Sequence, residues 1–261
     1  MIVILTLGVF SIIIIVYFTF AEHKMKIKAV FFDLDGTLLP MDQDIFIKAY
    51  LGGLCKTLAP RGYDPKAVAA ALWKSTDAMV VNNGEKTNED VFWDHFCAIL
   101  GKEIRDEEPL LEHFYKTDFQ KVKDVCGFSE KSKIIVESLK NRGIRVILAT
   151  NPLFPAVATE SRIRWAGLLP CDFEIYTTYE NSRHCKPNPD YYRDLLDQLG
   201  LSGEECIMVG NDVGDDMVAE ELGMKVFLLT DHLINKSGED ISRYPNGSFN
   251  ELISYLNEVT E

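Results

Sequence analysis

Cys-x-x-Cys pairs, blocks of lysine and arginine, and low-complexity tracts beyond the first twenty residues are all missing from this 261-residue chain. Its six cysteines (Cys55, Cys97, Cys126, Cys171, Cys185 and Cys206) follow neither a metal-ligand spacing nor the even framework of a short secreted protein. They are read as free thiols of a reducing compartment, Cys185 included despite its place beside Lys186. Positive charge is scarce as well, with 27 lysines and arginines against 40 aspartates and glutamates, a net charge of −13. That field repels a nucleic-acid backbone, so no nucleic acid is expected as a partner. It also repels a phosphorylated small molecule, so a phosphate site here requires a metal and a few local bases such as Lys186 or Arg183. With 47% hydrophobic and 26% charged residues, the composition is that of a globular protein rather than a disordered one.

Residues 2–21 make a single long apolar run, sufficient to cross a bilayer as a helix. Lys24, Lys26 and Lys28 follow it, and basic residues on that side would leave the rest of the chain in the cytoplasm. Met25, directly before the first strand, offers an equal alternative: residues 1–24 are a mis-called start and the protein is soluble and cytoplasmic. A cleaved signal fits less well, because no basic segment precedes the run and Thr19-Phe20-Ala21 is a poor cleavage site. Membrane contact is therefore expected only if residues 1–24 are a real anchor.

The most informative stretch is Ala29–Phe32 followed by Asp33-Leu34-Asp35-Gly36-Thr37. Four β-prone apolar residues predict a buried parallel strand, and the C-terminal ends of such strands are where open α/β sheets bind ligands. Two carboxylates two positions apart share a face if the strand geometry persists, and their mutual repulsion calls for a cation or a proton between them. Taken alone, the run also admits the lesser reading of a strand ending in a polar turn.

Between Leu39 and residue 126 no convincing strand occurs. Helical patterns are predicted over 42–58, weakened by Gly52-Gly53, then over 67–81 behind the cap Asp64-Pro65, 91–100 behind Thr87-x-x-Asp90, and 109–123. Beyond residue 126 strands and helices alternate: helix 131–141 capped by Ser129, strand 144–149, helix 155–166, strand 173–177, helix 189–199 capped by Asn188, strand 206–209, helix 215–222, strand 225–229 and a final helix from Ser248 to about Val259. This alternation predicts an α/β fold with a doubly wound parallel sheet. Asn246-Gly247-Ser248 is read as a turn and a cap.

Asp33-Leu34-Asp35-Gly36-Thr37 resembles the first motif of the haloacid dehalogenase-like (HAD) superfamily. Later pieces of that pattern follow in order over about residues 27–230: Thr150 after Val146–Ala149, Lys186 in Lys186-Pro187-Asn188-Pro189, and the acidic Gly210-Asn211-Asp212-Val213-Gly214-Asp215-Asp216. The resemblance implies a Rossmann-like core of residues 25–40 and 126–261 with an inserted α-helical cap over 41–125. It also implies Asp33 as nucleophile and Mg²⁺ ligand, and Asp35 as acid and base with its carbonyl on the metal. Thr150 and the N–H of Asn151 would bind the phosphoryl group, and Lys186 would neutralise it. The fourth motif departs from the usual pattern, because a register counted from Gly210 puts Asn211 on the metal and one counted from Asp212 puts Asp212 there. Asp212 is favoured since charge binds Mg²⁺ better. Asp216 stands behind the ligands in either register, and Asp215 is expected to start a helix.

The implied activity is a Mg²⁺-dependent phosphatase that hydrolyses a small phosphorylated metabolite through an aspartyl-phosphate. Dehalogenases of the superfamily lack the second carboxylate, so Asp35 directs the reading to phosphate esters. The alternatives are a phosphotransferase or sugar phosphomutase of the same superfamily and, from another class, a catalytically silent membrane-attached scaffold. Asp33, Asp35, Thr150 and Lys186 weigh against the scaffold.

Overall fold

Ala29–Phe32 forms strand β1, and all four residues are buried because both faces of the strand are covered. The computed structural model describes residues 26–260, so the apolar run at 2–21 and Met25 lie outside it. Among the described residues no helix is long and apolar enough to cross a membrane. Five further strands, Arg145–Leu148 (β2), Ile175–Tyr176 (β3), Cys206–Gly210 (β4), Lys225–Leu229 (β5) and Asn246–Gly247 (β6), complete a parallel sheet of order β3-β2-β1-β4-β5-β6. The order reverses at β1, where the chain grows outward through β2 and β3 and then returns to the other side as β4. Phe32 stands level with Leu148 and with Val209, so the residues after these three strands emerge side by side at the switch point.

Alternate strand residues feed two cores. Val30, Phe32, Val146, Leu148, Ile207 and Val209 face helices Glu130–Asn141 (α5), Ala156–Trp165 (α6) and Phe249–Thr260 (α8), while Ala29, Phe31, Ile147 and Met208 face Pro189–Leu199 (α7). The expected doubly wound sheet is the one observed.

Residues 42–125 form the helices Gln43–Leu58 (α1), Pro65–Val80 (α2), Asn88–Leu100 (α3) and Glu108–Lys116 (α4), with 3₁₀ turns over Lys102–Glu107 and Asp118–Val125. Asp42, Asp64 and Thr87 cap the first three through side-chain acceptors. The segment leaves and re-enters the sheet layer through adjacent chains, as Met41 bridges Cys126 and the Gly127 N–H donates to the Pro40 carbonyl at 2.7 Å. Gly52-Gly53 does not break α1. A Cβ on Gly53 would stand 3.0 Å from the Phe114 ring, so this glycine lets α1 approach α4.

Three local expectations are corrected. The helix expected over 215–222 is only a 3₁₀ turn over Met217–Leu222, because the loop before it is held by side chains: the Asp212 carboxylate accepts the N–H groups of Gly214 and Asp215, and Asp216 accepts that of Asp212. The helix expected over 109–123 stops at Lys116 and continues as 3₁₀. Asn246-Gly247 is a short sixth strand rather than a turn, paired with Leu228 and Leu229.

The inserted helices are also tied to the strand-end loops by Asn88, which is fully buried. Its amide donates to the carbonyls of His184 and Pro152 and to the Cys185 thiol, and its oxygen accepts from Asn82 at 2.8 Å. Asn88→Ala strands these partners and is expected to lower stability by about 1–3 kcal/mol in urea unfolding, whereas Asn83→Ala, on the exposed side of the same turn, should change it by no more than about 0.5 kcal/mol.

Candidate active site

A cavity of about 290 Å³ opens at the switch point. Asp33 and Asp35 reach it from β1, Thr150 and Asn151 from β2, Asn211, Asp212, Asp215 and Asp216 from β4, and Lys186 from the loop before α7. Every residue anticipated from the sequence except Arg183 is brought to it. Arg183 is exposed and lies in a different groove, beside Asp194 and Asp197.

Lys186 is enclosed, with its ammonium 3.0 Å from Asp33 Oδ1 and 2.6 Å from Asp216 Oδ1. Burial works against its charge, but the two carboxylates overcome this and hold Lys186 well above its ordinary range. Burial pushes Asp33 up to about 7 against the attraction of Lys186, with Asp216 and Asp35 adding to the rise. Asp216 also accepts the Asp212 N–H through Oδ2 at 2.9 Å, so one carboxylate anchors both the lysine and the acidic loop.

Asp35 turns one oxygen to the guanidinium of Arg162, on α6. Burial raises the Asp35 carboxyl above the usual range despite this partner, and its other oxygen is buried with no donor among the described residues. The Asn151 amide oxygen, in the same cavity, is likewise without a donor, while its nitrogen bonds Asp215 at 3.1 Å. Asp215 therefore lines the cavity instead of starting a helix, a correction that follows from the loop geometry described above.

Asn211 is drawn into the scaffold. Its oxygen accepts from Thr37 at 3.0 Å and its nitrogen donates to the His232 carbonyl at 2.7 Å. Gly36 has φ +85°, and a Cβ there would lie 2.4 Å from the Asn211 amide, so this position admits only glycine. Asp212 bonds two N–H groups through Oδ1 and keeps Oδ2 free of any hydrogen bond among the described residues.

The model of the haloacid dehalogenase-like hydrolase family matches residues 27–223. The chain belongs to that family. It is similar to the pyrophosphatase PpaX of Bacillus velezensis, 25% identical over 203 residues that cover 77% of this chain and 82% of that protein. Among solved structures, it resembles the HAD phosphatase of Thermococcus onnurineus (18% identity, TM-score 0.56, covering 88% of this chain and 98% of that one). It also resembles a HAD family hydrolase of Deinococcus radiodurans crystallised with phosphate and sodium (22% identity, TM-score 0.53, 90% and 97%). The structural likenesses bear on the fold.

Five carboxylates line the hydrolase's cavity (Asp33, Asp35, Asp212, Asp215 and Asp216) against two bases, Lys186 and Lys236. Among the described residues no three carboxylate, histidine or cysteine groups converge as a ready-made metal cage. The all-oxygen donor set, the negative excess and the two donorless oxygens fit a hard divalent cation that keeps most of its own waters.

Sequence reasoning missed Arg162 and Asp215. Arg162 had a signal, since with Ala158 and Trp165 it occupies the buried stripe of α6 at helical spacing, where an arginine requires a partner. Replacing Lys186 with methionine leaves Asp33 and Asp216 buried together without their cation. We expect a loss of about 3–5 kcal/mol in urea unfolding, against no more than about 1 kcal/mol for Lys116→Ala at the exposed Lys116–Glu112 pair.

Proposed function

We propose that the hydrolase is a Mg²⁺-dependent phosphatase acting on a small phosphorylated metabolite, with Asp33 as nucleophile. The observation that carries this reading is the enclosed Asp33–Lys186–Asp216 arrangement opening on the same cavity as Asp35. A carboxylate nucleophile needs a cation against which a dianionic phosphoryl group can approach, and a leaving alkoxide needs a proton.

In the first half-reaction an Asp33 oxygen bonds phosphorus, the bond from phosphorus to the ester oxygen breaks, and Asp35 passes its proton to the departing alcohol. In the second, water attacks the aspartyl-phosphate, gives its proton to Asp35, and frees Asp33 and inorganic phosphate. Burial above the usual carboxylate range suits Asp35 to carry that proton. Its oxygen without a donor is the one available for it, because Arg162 occupies the other. Thr150 and Asn151 would bind the phosphoryl oxygens, and Lys186 would balance their charge. Asp33, the Asp35 carbonyl and Asp212 would hold the metal, with Asn211 the alternative ligand. When bound, Mg²⁺ supplies positive charge that favours ionised Asp33 and screens the phosphoryl oxygens. Residues 41–125 would act as the cap over this reaction, with Phe46 of α1 at the cavity wall.

Asp33→Asn keeps the volume of the side chain and relieves carboxylate repulsion, so it should fold normally and release no phosphate from p-nitrophenyl phosphate with Mg²⁺. Turnover near the wild-type rate would remove Asp33 from the mechanism. For the fourth motif, activity titrated against Mg²⁺ separates the two registers. Asp212→Ala should raise the Mg²⁺ requirement by at least ~10–100-fold, and Asn211→Ala by less; the reverse order would make Asn211 the ligand.

A further inference from the structure

A second cavity, of about 330 Å³, lies between α1–α4, the segment 153–157 that enters α6, and the loop at 179–180. Its lining differs from that of the catalytic cavity. Six aromatic side chains face it (Tyr50, Phe92, Trp93, Phe96, Tyr115 and Tyr179) together with four glutamates, and no lysine, arginine or histidine does. Three of the glutamates are already engaged: Glu108 with Arg105 at 3.3 Å, Glu112 with Lys116, and Glu180 as acceptor of the Ala156 N–H at 2.8 and 3.0 Å. Glu89, half-buried at the start of α3, has no ion-pair partner among the described residues. Burial and the nearby Glu180 push its carboxyl above the ordinary range, with Arg105 working against them.

The two cavities share a wall. Leu153 lines both, and Phe46 and Tyr50, one in each, are successive turns of α1, about 6 Å apart along the axis. The Phe154 ring stands between them, 6.1 Å from Phe46 and 5.1 Å from Tyr50. The cavities adjoin at Leu153, and a phosphate ester seated at Asp33 would have to extend past the Phe154 ring, by one ring or a short chain, to place its far end in the aromatic cavity.

We propose that this cavity receives an organic cation, the amine-bearing end of the alcohol whose phosphate is cleaved at Asp33. The proposal rests on the phosphatase reading above. Aromatic faces attract a desolvated ammonium through their quadrupoles, and Glu89 supplies the countercharge. A carboxylate-bearing alcohol would meet Glu89 and Glu180 as like charges. A sugar would find few free donors, since the Tyr50 and Tyr115 hydroxyls are bonded to each other at 2.9 Å.

Three aryl phosphates that share a two-carbon arm test this: 4-(2-aminoethyl)phenyl, 4-ethylphenyl and 4-(2-carboxyethyl)phenyl phosphate, each assayed with Mg²⁺ alongside p-nitrophenyl phosphate. We expect kcat/KM for the amine to exceed that for the ethyl compound by roughly tenfold or more, with the carboxylate lowest. Glu89→Gln should bring the amine down to the ethyl value and leave the ethyl and p-nitrophenyl rates unchanged. Hydrolysis of all the esters without an amine preference, or a preference that survives Glu89→Gln undiminished, overturns the cation site. Release of phosphate from none of them, p-nitrophenyl phosphate included, overturns the phosphatase reading instead.

Discussion

The ammonium of Lys186, buried between the carboxylates of Asp33 and Asp216, is the interaction on which the rest of the site depends. It joins three strand-end segments that are distant in sequence. Asp33 follows β1, Asp216 closes the loop after β4, and Lys186 comes from the loop before α7. The one ammonium serves two buried carboxylates, and without it both would be buried with no cation beside them, which is costly. Asp216 extends the constraint by accepting the Asp212 N–H, so the acidic loop takes its shape from the same ion pair.

Parallel pairing of β1 with both β2 and β4 makes this convergence possible. The strand ends are level, so side chains that follow Phe32, Leu148 and Val209 meet at one edge of the sheet. The opposite side of the cavity is built differently. Arg162 lies 4.4 Å from the Phe154 ring and 5.9 Å from that of Phe46 while pairing with Asp35. Through this guanidinium the second carboxylate of the first motif is packed against the helices inserted at 42–125. Phe46, Tyr50, Phe119 and Phe154 continue the contact as a set of edge-on rings, so the inserted helices and α6 share one apolar body.

A scaffold that had merely kept the fold would have no physical use for these arrangements. A buried lysine with two carboxylates, an aspartate oxygen left without a donor, and a buried arginine on the other oxygen are each costly in a protein that binds nothing. Their concentration in one cavity of a hydrolase fold argues for chemistry there.

The amino-acid sequence by itself determined the architecture and most of the residues that gather at the cavity. A buried apolar strand ending in Asp33 and Asp35, strands alternating with helices after residue 126, and polar residues at strand ends are local patterns whose meaning depends on neighbours a few positions away. The tertiary structure decided what depends on distant partners. Adjacent acidic residues in the loop at 211–216 are chemically alike in sequence, and only the position of Lys186 makes Asp216 its partner while Asp215 turns to Asn151. Asn211 meets Thr37 and Gly36 across the sheet, which draws its amide into the scaffold while Asp212 keeps an oxygen free of hydrogen bonds. Arg162 meets Asp35 over a separation of 127 residues. The aromatic cavity draws on α1–α4, the start of α6 and the residues between strands and helices at 153–155 and 179–180, and no single stretch of sequence carries its pattern. Periodicity predicts which side of a helix is buried; which charges come to lie against each other is decided by packing.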